Sequence, residues 1–337
     1  MLSFLINPLI LFSLVRYEVI DRQLLDAYLL VCLVIFSYDQ RSFWKFGAII
    51  FAFTSMQLMW NLNYLWVLNF TILPLAILNR TTPIIPTKQF KRFIPFVASY
   101  VFIKTMVDLA QGQYVEGGDR IAGPFTSSLH LAYFCVVASC VVANLKIKYS
   151  KIIIASLFAC AAASGSRIGA LGTFLVLIAQ YPIHIRIILI ASIGVLTLTA
   201  LSEYIRVISY IPEAEDIRIQ GFVNFFDWVG NSEILHVIFG MGRMSYGAMG
   251  YRMFGETAFI TESSFIMLLY CYGALGGYIY YYFANNTYKI SKKLNKGYLL
   301  FIPVGFALIS PFIDSAAILT MNMAMISCCI KAQPHIK

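Results

Sequence analysis

Charged residues are scarce in this sequence, and acidic residues are the scarcest among them. Only 12% of the 337 residues are charged and 60% are hydrophobic, with 16 acidic residues against 25 basic ones. Soluble domains are usually about 25% charged and about 45–50% apolar. The mean hydropathy of +0.76 deviates in the same direction. The composition therefore predicts an all-α polytopic membrane protein and excludes an ordinary soluble domain.

Several catalytic and metal-binding signatures are missing as well. The sequence has no Walker A loop, no GxSxG nucleophile turn and no HExxH helix. These absences remove the signatures of ATP-driven pumps, serine hydrolases and zinc proteases. Its four histidines are scattered, and its seven cysteines lie in apolar runs without CxxC or Cys/His spacing. We therefore predict no disulfide, no metal and no other cofactor.

Apolar runs that could cross a bilayer recur along the whole chain. A crossing helix needs about 20 apolar residues, although shorter and tilted helices occur. We predict about twelve transmembrane helices in one integral-membrane domain, 1–337, with a long extracytoplasmic loop, 203–261, between helices 9 and 10. The first run lacks the features of a cleaved signal peptide, so we interpret it as a retained helix. The predicted spans are 3–15, 24–38, 43–57, 62–79, 93–110, 129–145, 151–164, 168–181, 185–202, 263–284, 298–312 and 314–330.

The distribution of basic residues orients these helices. With a cytoplasmic N-terminus, 16 of the 25 basic residues fall in inner segments and eight in outer ones, while Lys104 lies within a helix. No outer segment contains lysine. This positive-inside pattern predicts a multi-pass protein of the bacterial cytoplasmic (inner) membrane with both termini cytoplasmic. The basic residues would meet anionic membrane lipids, so the net charge of +9 does not indicate nucleic acid.

The long outer loop contains one helical pattern. Apolar residues recur between Ile219 and Val229 at helical spacing, with Trp228 beside them. They predict a short amphipathic helix that either contacts lipid or packs on the bundle. We expect Pro212 to mark the turn before this helix, and the acidic run 213–216 to be a solvated loop.

Arg167 is the most informative charged residue. It lies in a short turn between predicted helices 151–164 and 168–181, both rich in the small residues that allow close packing. Each covers only about 21 Å of the roughly 30 Å of hydrocarbon. The turn should therefore lie below the membrane surface. Such an arginine is either ion-paired with a carboxylate or binds an anionic ligand, and phosphate oxygens match its two-pronged geometry.

Other candidate site residues lie in the neighbouring outer segments. Glu262 precedes a predicted helix and is either a favourable cap or a general base for a sugar hydroxyl. Lys104 and Asp108, at i,i+4 spacing, should form an ion pair. The candidate substrate-binding residues are Arg120, His130, Ser166, Arg243 and Ser263.

Four short motifs occur in order between about residue 115 and residue 280. They are Arg120-Ile-Ala-Gly-Pro-Phe125, Ser164-Gly-Ser-Arg-Ile-Gly-Ala-Leu-Gly172, Phe239-Gly-Met-Gly242, and Glu262-Ser263 followed by Gly273-Ala-Leu-Gly276. In this order and on this topology they resemble the O-antigen polymerase and O-antigen ligase superfamily. These bacterial inner-membrane glycosyltransferases use polyprenyl-diphosphate-linked sugars.

The resemblance implies a catalytic set of Arg167, Arg218 and Glu262. The two arginines would contact the diphosphate without a metal, and Glu262 would lie at the acceptor sugar. Arg218 is chosen mainly on this resemblance. The ligase branch begins the last motif with histidine, its proposed catalytic residue, where this chain has Glu262. We therefore expect a polymerase of O-antigen, capsule or exopolysaccharide repeat units.

Two other functions stay open. A ligase would transfer finished glycan to an acceptor, and a flippase or other transporter would move the lipid-linked oligosaccharide. A transporter would be expected to show internal repeats and polar residues through the middle of several helices, and neither is evident in the sequence. The expected partners are polyprenyl-diphosphate-linked oligosaccharides and membrane lipids, with a chain-length regulator and a flippase of the same pathway as candidate protein partners.

Overall fold

The described part of the chain is helical. The computed structural model describes residues 87–115, 120–125, 127–187, 212–242, 263–309 and 316–330, of which 212–220, 309, 316–318 and 320 are described by their backbone alone. Apart from one isolated bridge, no β-structure occurs among these residues. The predicted all-α class is confirmed for them. The helices are α1 Thr87–Ala110, α2 Ser128–Leu145, α3 Ser150–Ala163, α4 Arg167–Ile178, α5 Pro212–Asn231, α6 Ile234–Phe239, α7 Ser264–Ser291, a 3₁₀ turn Gly297–Leu300, α8 Phe301–Ile309 and α9 Ala316–Ser327.

Most predicted spans within the described part coincide with observed helices. α2, α3 and α4 begin within a residue of their predicted starts, whereas α1 begins at Thr87 instead of 93. The first four predicted spans, 188–202 of the ninth span and 203–211 and 243–261 of the long loop lie outside the described residues.

α2 is the central helix of the described bundle. Every residue from Leu131 to Ala143 is buried, and α2 packs against α3, α4, α8 and α9. A helix that is apolar on all sides is covered on all sides. Ser127 caps its start by accepting a hydrogen bond from the Leu129 amide (3.2 Å). These four helices are thus arranged around α2, while α1 packs on α3 and α5 and α6 pack on α7.

α4 approaches its neighbours closely through two glycines. A methyl group built on Gly169 would lie 2.5 Å from the Ala132 methyl of α2. One built on Gly172 would lie 2.2 Å from the ring of Phe306 in α8. The close contact expected from the small residues of this segment is therefore present, and it fixes α4 against both helices.

α7 folds back on itself at Gly273, where φ is 56° and ψ is −135°. The rings of Phe265 and Tyr280 are 5.0 Å apart, whereas 15 residues of straight helix would separate them by about 22 Å. A methyl group on Gly276 would lie 1.9 Å from the Leu268 carbonyl oxygen. The prediction that 263–284 forms one crossing helix is wrong here, because the first arm, 264–272, spans only about 14 Å.

α5 confirms the predicted helix in the long loop and extends it. It begins at Pro212, a residue suited to the first helical position because its missing N–H would have no partner there. Two predictions are thereby corrected: Pro212 starts the helix, and 213–216 is helical instead of a loop. The Trp228 ring lies 4.9 Å from Tyr270 of α7, while Phe226 is 67% exposed. The helix therefore packs on the bundle along one side only.

The described contacts define two ends of the bundle. At the first, called the arginine end, Gly123 lies against Thr105 and Leu131, and Ser263 donates a hydrogen bond to the Leu308 carbonyl. This end includes 120–125, 164–169, 263 and 308.

At the opposite end, called the lysine end, Thr87 donates to the Cys328 carbonyl (3.2 Å) and Lys296 to Gln180 (2.7 Å). This end includes 87–92, 146–151, 179–186, 289–299 and 328. Every described lysine except Lys104 lies at the lysine end.

Two described helices, α1 and α2, are long and apolar enough to cross a membrane by length and composition. α2 is mostly buried in the bundle, as core helices of soluble proteins also are, whereas only a third of the apolar window of α1 is buried. The crossing of a membrane by the bundle as a whole stays a prediction.

The fold-back of α7 predicts that Gly273→Ala is strongly destabilising. A Cβ atom there would lie 2.1 Å from the Ile238 carbonyl oxygen, on a backbone that L-residues rarely adopt. We expect a loss of about 2–4 kcal/mol in the free energy of unfolding. The measurement is the melting temperature of the purified protein in detergent. Gly305→Ala in α8 is the matched control, because nothing lies within 4 Å of its added methyl. Equal melting temperatures for the two variants would contradict the fold-back.

Candidate functional site

The turn before α4 is held rigidly by serine hydroxyls. The Ser164 hydroxyl donates to the Ala161 carbonyl (2.7 Å) and accepts from the Ser166 amide (3.2 Å). Ser166 in turn caps α4 by accepting from the Gly169 amide (3.2 Å). Both serines are buried. These hydrogen bonds hold the backbone of the turn in place and so fix the start of α4.

Arg167 is the first residue of α4 and is exposed. Among the described residues, its guanidinium has no hydrogen-bond or ion-pair partner. Of the two alternatives for Arg167, the ion pair with a neighbouring carboxylate is therefore not formed among the described residues. A cation beside a helix start can receive an anion, because the helix dipole and the guanidinium attract the same charge.

The Arg120 loop is anchored on α1 and α2 at the same end of the bundle. The Val115 amide donates to the Arg120 carbonyl (2.7 Å), which forms the isolated bridge. Gly123, with φ 58°, lies so close to α1 that an added methyl would be 2.6 Å from the Thr105 hydroxyl. Arg120 is exposed at the rim of this loop, and His130 is half-buried in the first turn of α2. Both therefore lie at the arginine end with Arg167.

Ser263 connects the start of α7 to α8. Its hydroxyl accepts from the Ile266 amide (3.2 Å) and donates to the Leu308 carbonyl. The side chain is buried and engaged within the protein. The contact of Ser263 with substrate stays a prediction. Ser263 directly follows Glu262 in the chain, and its hydrogen bond to Leu308 holds it at the arginine end.

Two of the sequence motifs meet at the break in α7. The Met241 amide donates to the Tyr270 carbonyl (2.8 Å) and the Gly242 amide to the Cys271 carbonyl (2.9 Å). At a break in a helix such carbonyls lose their usual i+4 partners, and an uncompensated buried carbonyl is costly. The 239–242 motif therefore completes the backbone hydrogen bonds of the helical turn that directly precedes the 273–276 motif.

Not every predicted site residue can be placed. Glu262 and Arg243 lie outside the described residues, and Arg218 lies in α5 where only the backbone is described. The structure thus brings together Arg120, Arg167 and Ser263, with Ser166 and His130, at one end of the bundle. The ion pair predicted between Lys104 and Asp108 is confirmed.

The fold-back itself was missed from the sequence. Its signal is the Gly-Ala-Leu-Gly-Gly run, 273–277, inside an apolar segment, since glycine there permits both a positive φ and close backbone contact. Among the described residues, no group of three His, Cys, Asp or Glu side chains could hold a metal ion. The metal-independent reaction stays a prediction.

Comparisons with protein-family models, with curated proteins and with solved structures find no match to this chain.

The cap on α4 predicts that Ser166→Ala lowers the free energy of unfolding by about 1 kcal/mol, because the Gly169 amide loses its acceptor. Thermal melting in detergent measures the change. Ser156→Ala is the control, since that hydroxyl only donates to the Ile152 carbonyl of its own helix (3.0 Å). A shift no larger than the control would show that Ser166 does not fix the start of α4.

Proposed function

We propose that this protein is an integral-membrane glycosyltransferase that polymerises oligosaccharide repeat units at the outer face of the bacterial cytoplasmic membrane. The donor is a growing glycan on polyprenyl diphosphate, and the acceptor is a lipid-linked repeat unit. One observation carries the proposal: the Arg120 and Arg167 segments and the residue after Glu262 lie at the same end of the bundle, and they belong to motifs that resemble the O-antigen polymerase and ligase superfamily.

The surface of the described bundle supports its placement in a membrane. Large apolar side chains are exposed along several helices, including Phe96 (74%), Ile103 (60%) and Ile152 (65%). α1 has 24 residues, about 36 Å of helix, which exceeds the roughly 30 Å of a hydrocarbon core. The separation of lysines from the arginine end agrees with the positive-inside pattern. The arginine end would then face outward.

The proposed chemistry is a direct glycosyl transfer. A hydroxyl of the acceptor sugar attacks the anomeric carbon of the donor, and a new C–O bond forms there. The bond between that carbon and the diphosphate breaks, and the diphosphate leaves with the bonding electrons. Arg167 and Arg218 neutralise the growing negative charge, which lowers the barrier. Glu262 takes the proton from the attacking hydroxyl. Arg120, His130, Arg243, Ser166 and Ser263 are assigned to substrate contacts around this centre.

A second candidate is a transporter of lipid-linked oligosaccharide. Transporters use discontinuous helices at their binding sites, and α7 is discontinuous at Gly273. The side-chain polar atoms of Asn322 and the hydroxyl of Thr287 are buried without hydrogen-bond partners, and buried polar side chains within a membrane often mark a transport path. The polymerase remains the preferred proposal because Arg120 and Arg167 lie at one end, outside the bundle interior.

The proposal predicts that Arg167→Ala reduces polymer formation about a hundredfold or more, since removing one charge-stabilising donor has effects of this size. The purified protein is reconstituted with a lipid-linked repeat unit, and the product ladder is resolved on a gel. The melting temperature should change little, because the side chain is exposed and has no described partner. Glu262→Gln should cause a comparable loss.

Lys91→Ala is the matched control, because it removes an exposed cation at the opposite end of the bundle. Arg167→Lys tests geometry, since an ammonium keeps the charge but loses the two-pronged contact. Normal ladders from both Arg167→Ala and Glu262→Gln would rule out the assigned roles.

A further inference from the structure

The lysine end contains a cavity of about 270 Å³ that the proposed reaction does not use. It lies between the end of α2, the start of α3, the end of α4 and the loop after α7. Ligand pockets usually measure about 300–1,000 Å³, so this one suits a small polar group. Six of its eight lining residues are polar: Asn144, Lys146, Ser150, Gln180, Asn295 and Lys296.

The turn between α2 and α3, which lines one side of the cavity, contains two residues in the left-handed backbone conformation. Lys146 (φ 49°) ends α2, and Tyr149 (φ 61°) precedes α3. Between them Ile147 is buried and anchors the turn. Such conformations are unfavourable for residues other than glycine, and they cluster at binding sites where surrounding contacts hold them. Here they bring Lys146 to the cavity beside Ser150, the first residue of α3.

Lys146 and Lys296 line the cavity, and the described residues of the lysine end supply no carboxylate to balance their charge. The Lys296 ammonium donates to the Ala179 carbonyl (3.1 Å) and to the Gln180 side chain (2.7 Å). Burial, followed by the nearby charges of Arg186 and Lys151, lowers the pKa of Lys296 below its ordinary value. No acidic residue occurs in the described segments of the lysine end. A bound anion would relieve this repulsion.

Uncharged polar side chains complete the wall. Ser150 and Asn295 line the cavity with the two lysines, and their O–H and N–H groups are hydrogen-bond donors. Such donors, together with ammonium groups, suit the oxygens of a phosphate.

We propose that this cavity binds a phosphate ester. Lys146 and Lys296 would contact the phosphate oxygens. The headgroup of phosphatidylglycerol has this chemistry, and so does a free polyol phosphate such as glycerol 3-phosphate. The site lies at the opposite end from Arg167 and does not depend on the proposed glycosyl transfer.

The test measures the melting temperature of the full-length protein in phosphatidylcholine nanodiscs. One arm adds phosphatidylglycerol to the discs, and a second titrates glycerol 3-phosphate into the buffer. A rise with phosphatidylglycerol alone identifies a lipid headgroup, and a saturable rise with glycerol 3-phosphate identifies a soluble ligand. No rise in either arm overturns the proposal.

Matched variants separate binding in the cavity from attraction to a diffuse charged surface. Lys146→Gln removes a lining charge that has no described protein partner, so the fold should persist while the ligand is bound about tenfold more weakly. Lys293→Gln removes an exposed charge from the same end, outside the cavity lining, and should bind normally. Equal binding by the two variants would show that the lysines of this end act only as a diffuse charged surface.

Discussion

The described structure depends on how the broken helix α7 satisfies its backbone. Gly273 turns the chain back, and the Tyr270 and Cys271 carbonyls are met by the amides of Met241 and Gly242. In an apolar bundle no water is available to take their place, so the protein itself must supply the donors. The donors can approach only where side chains are absent: a methyl on Gly240 would lie 2.4 Å from the Tyr272 amide nitrogen. Glycine at 240 and 273 is therefore a packing requirement.

The same junction positions the candidate site. The two arms of α7 are both tied to α8, because Ser263 donates to the Leu308 carbonyl and Tyr280 to the Val304 carbonyl (2.8 Å). α8 in turn contacts α4 where Phe306 lies over Gly172. A continuous set of contacts thus runs from the long loop, through α7 and α8, to the helix that begins with Arg167. This explains how segments far apart in sequence reach one end of the bundle.

Sequence reasoning predicted the parts of this arrangement that are encoded locally. α2 and α3 are apolar runs bounded by polar residues, so their ends were predicted closely, and the Lys104–Asp108 pair follows from helical spacing. The fold-back was not predictable in this way. Hydropathy indicates whether a segment is favourably buried, but it does not indicate the path of the chain. The segment 263–284 is equally apolar whether it forms one straight helix or folds back on itself. The break is specified by contacts with 238–242, which local patterns do not contain. Similarly, the position of the Ser166 turn between two short helices was predictable from the sequence. The hydrogen bonds that hold this turn were not apparent from its composition.

The most direct test of the central claim is the glycan ladder of cells from which the gene has been deleted. A polymerase that joins lipid-linked repeat units at the outer face leaves glycans of a single repeat unit on the cell surface when it is lost, and the account predicts this result. Long polymer accumulating on its lipid carrier would indicate a ligase, and repeat units trapped inside the cell would indicate a flippase. Either of these patterns, or an unchanged ladder, would contradict the account.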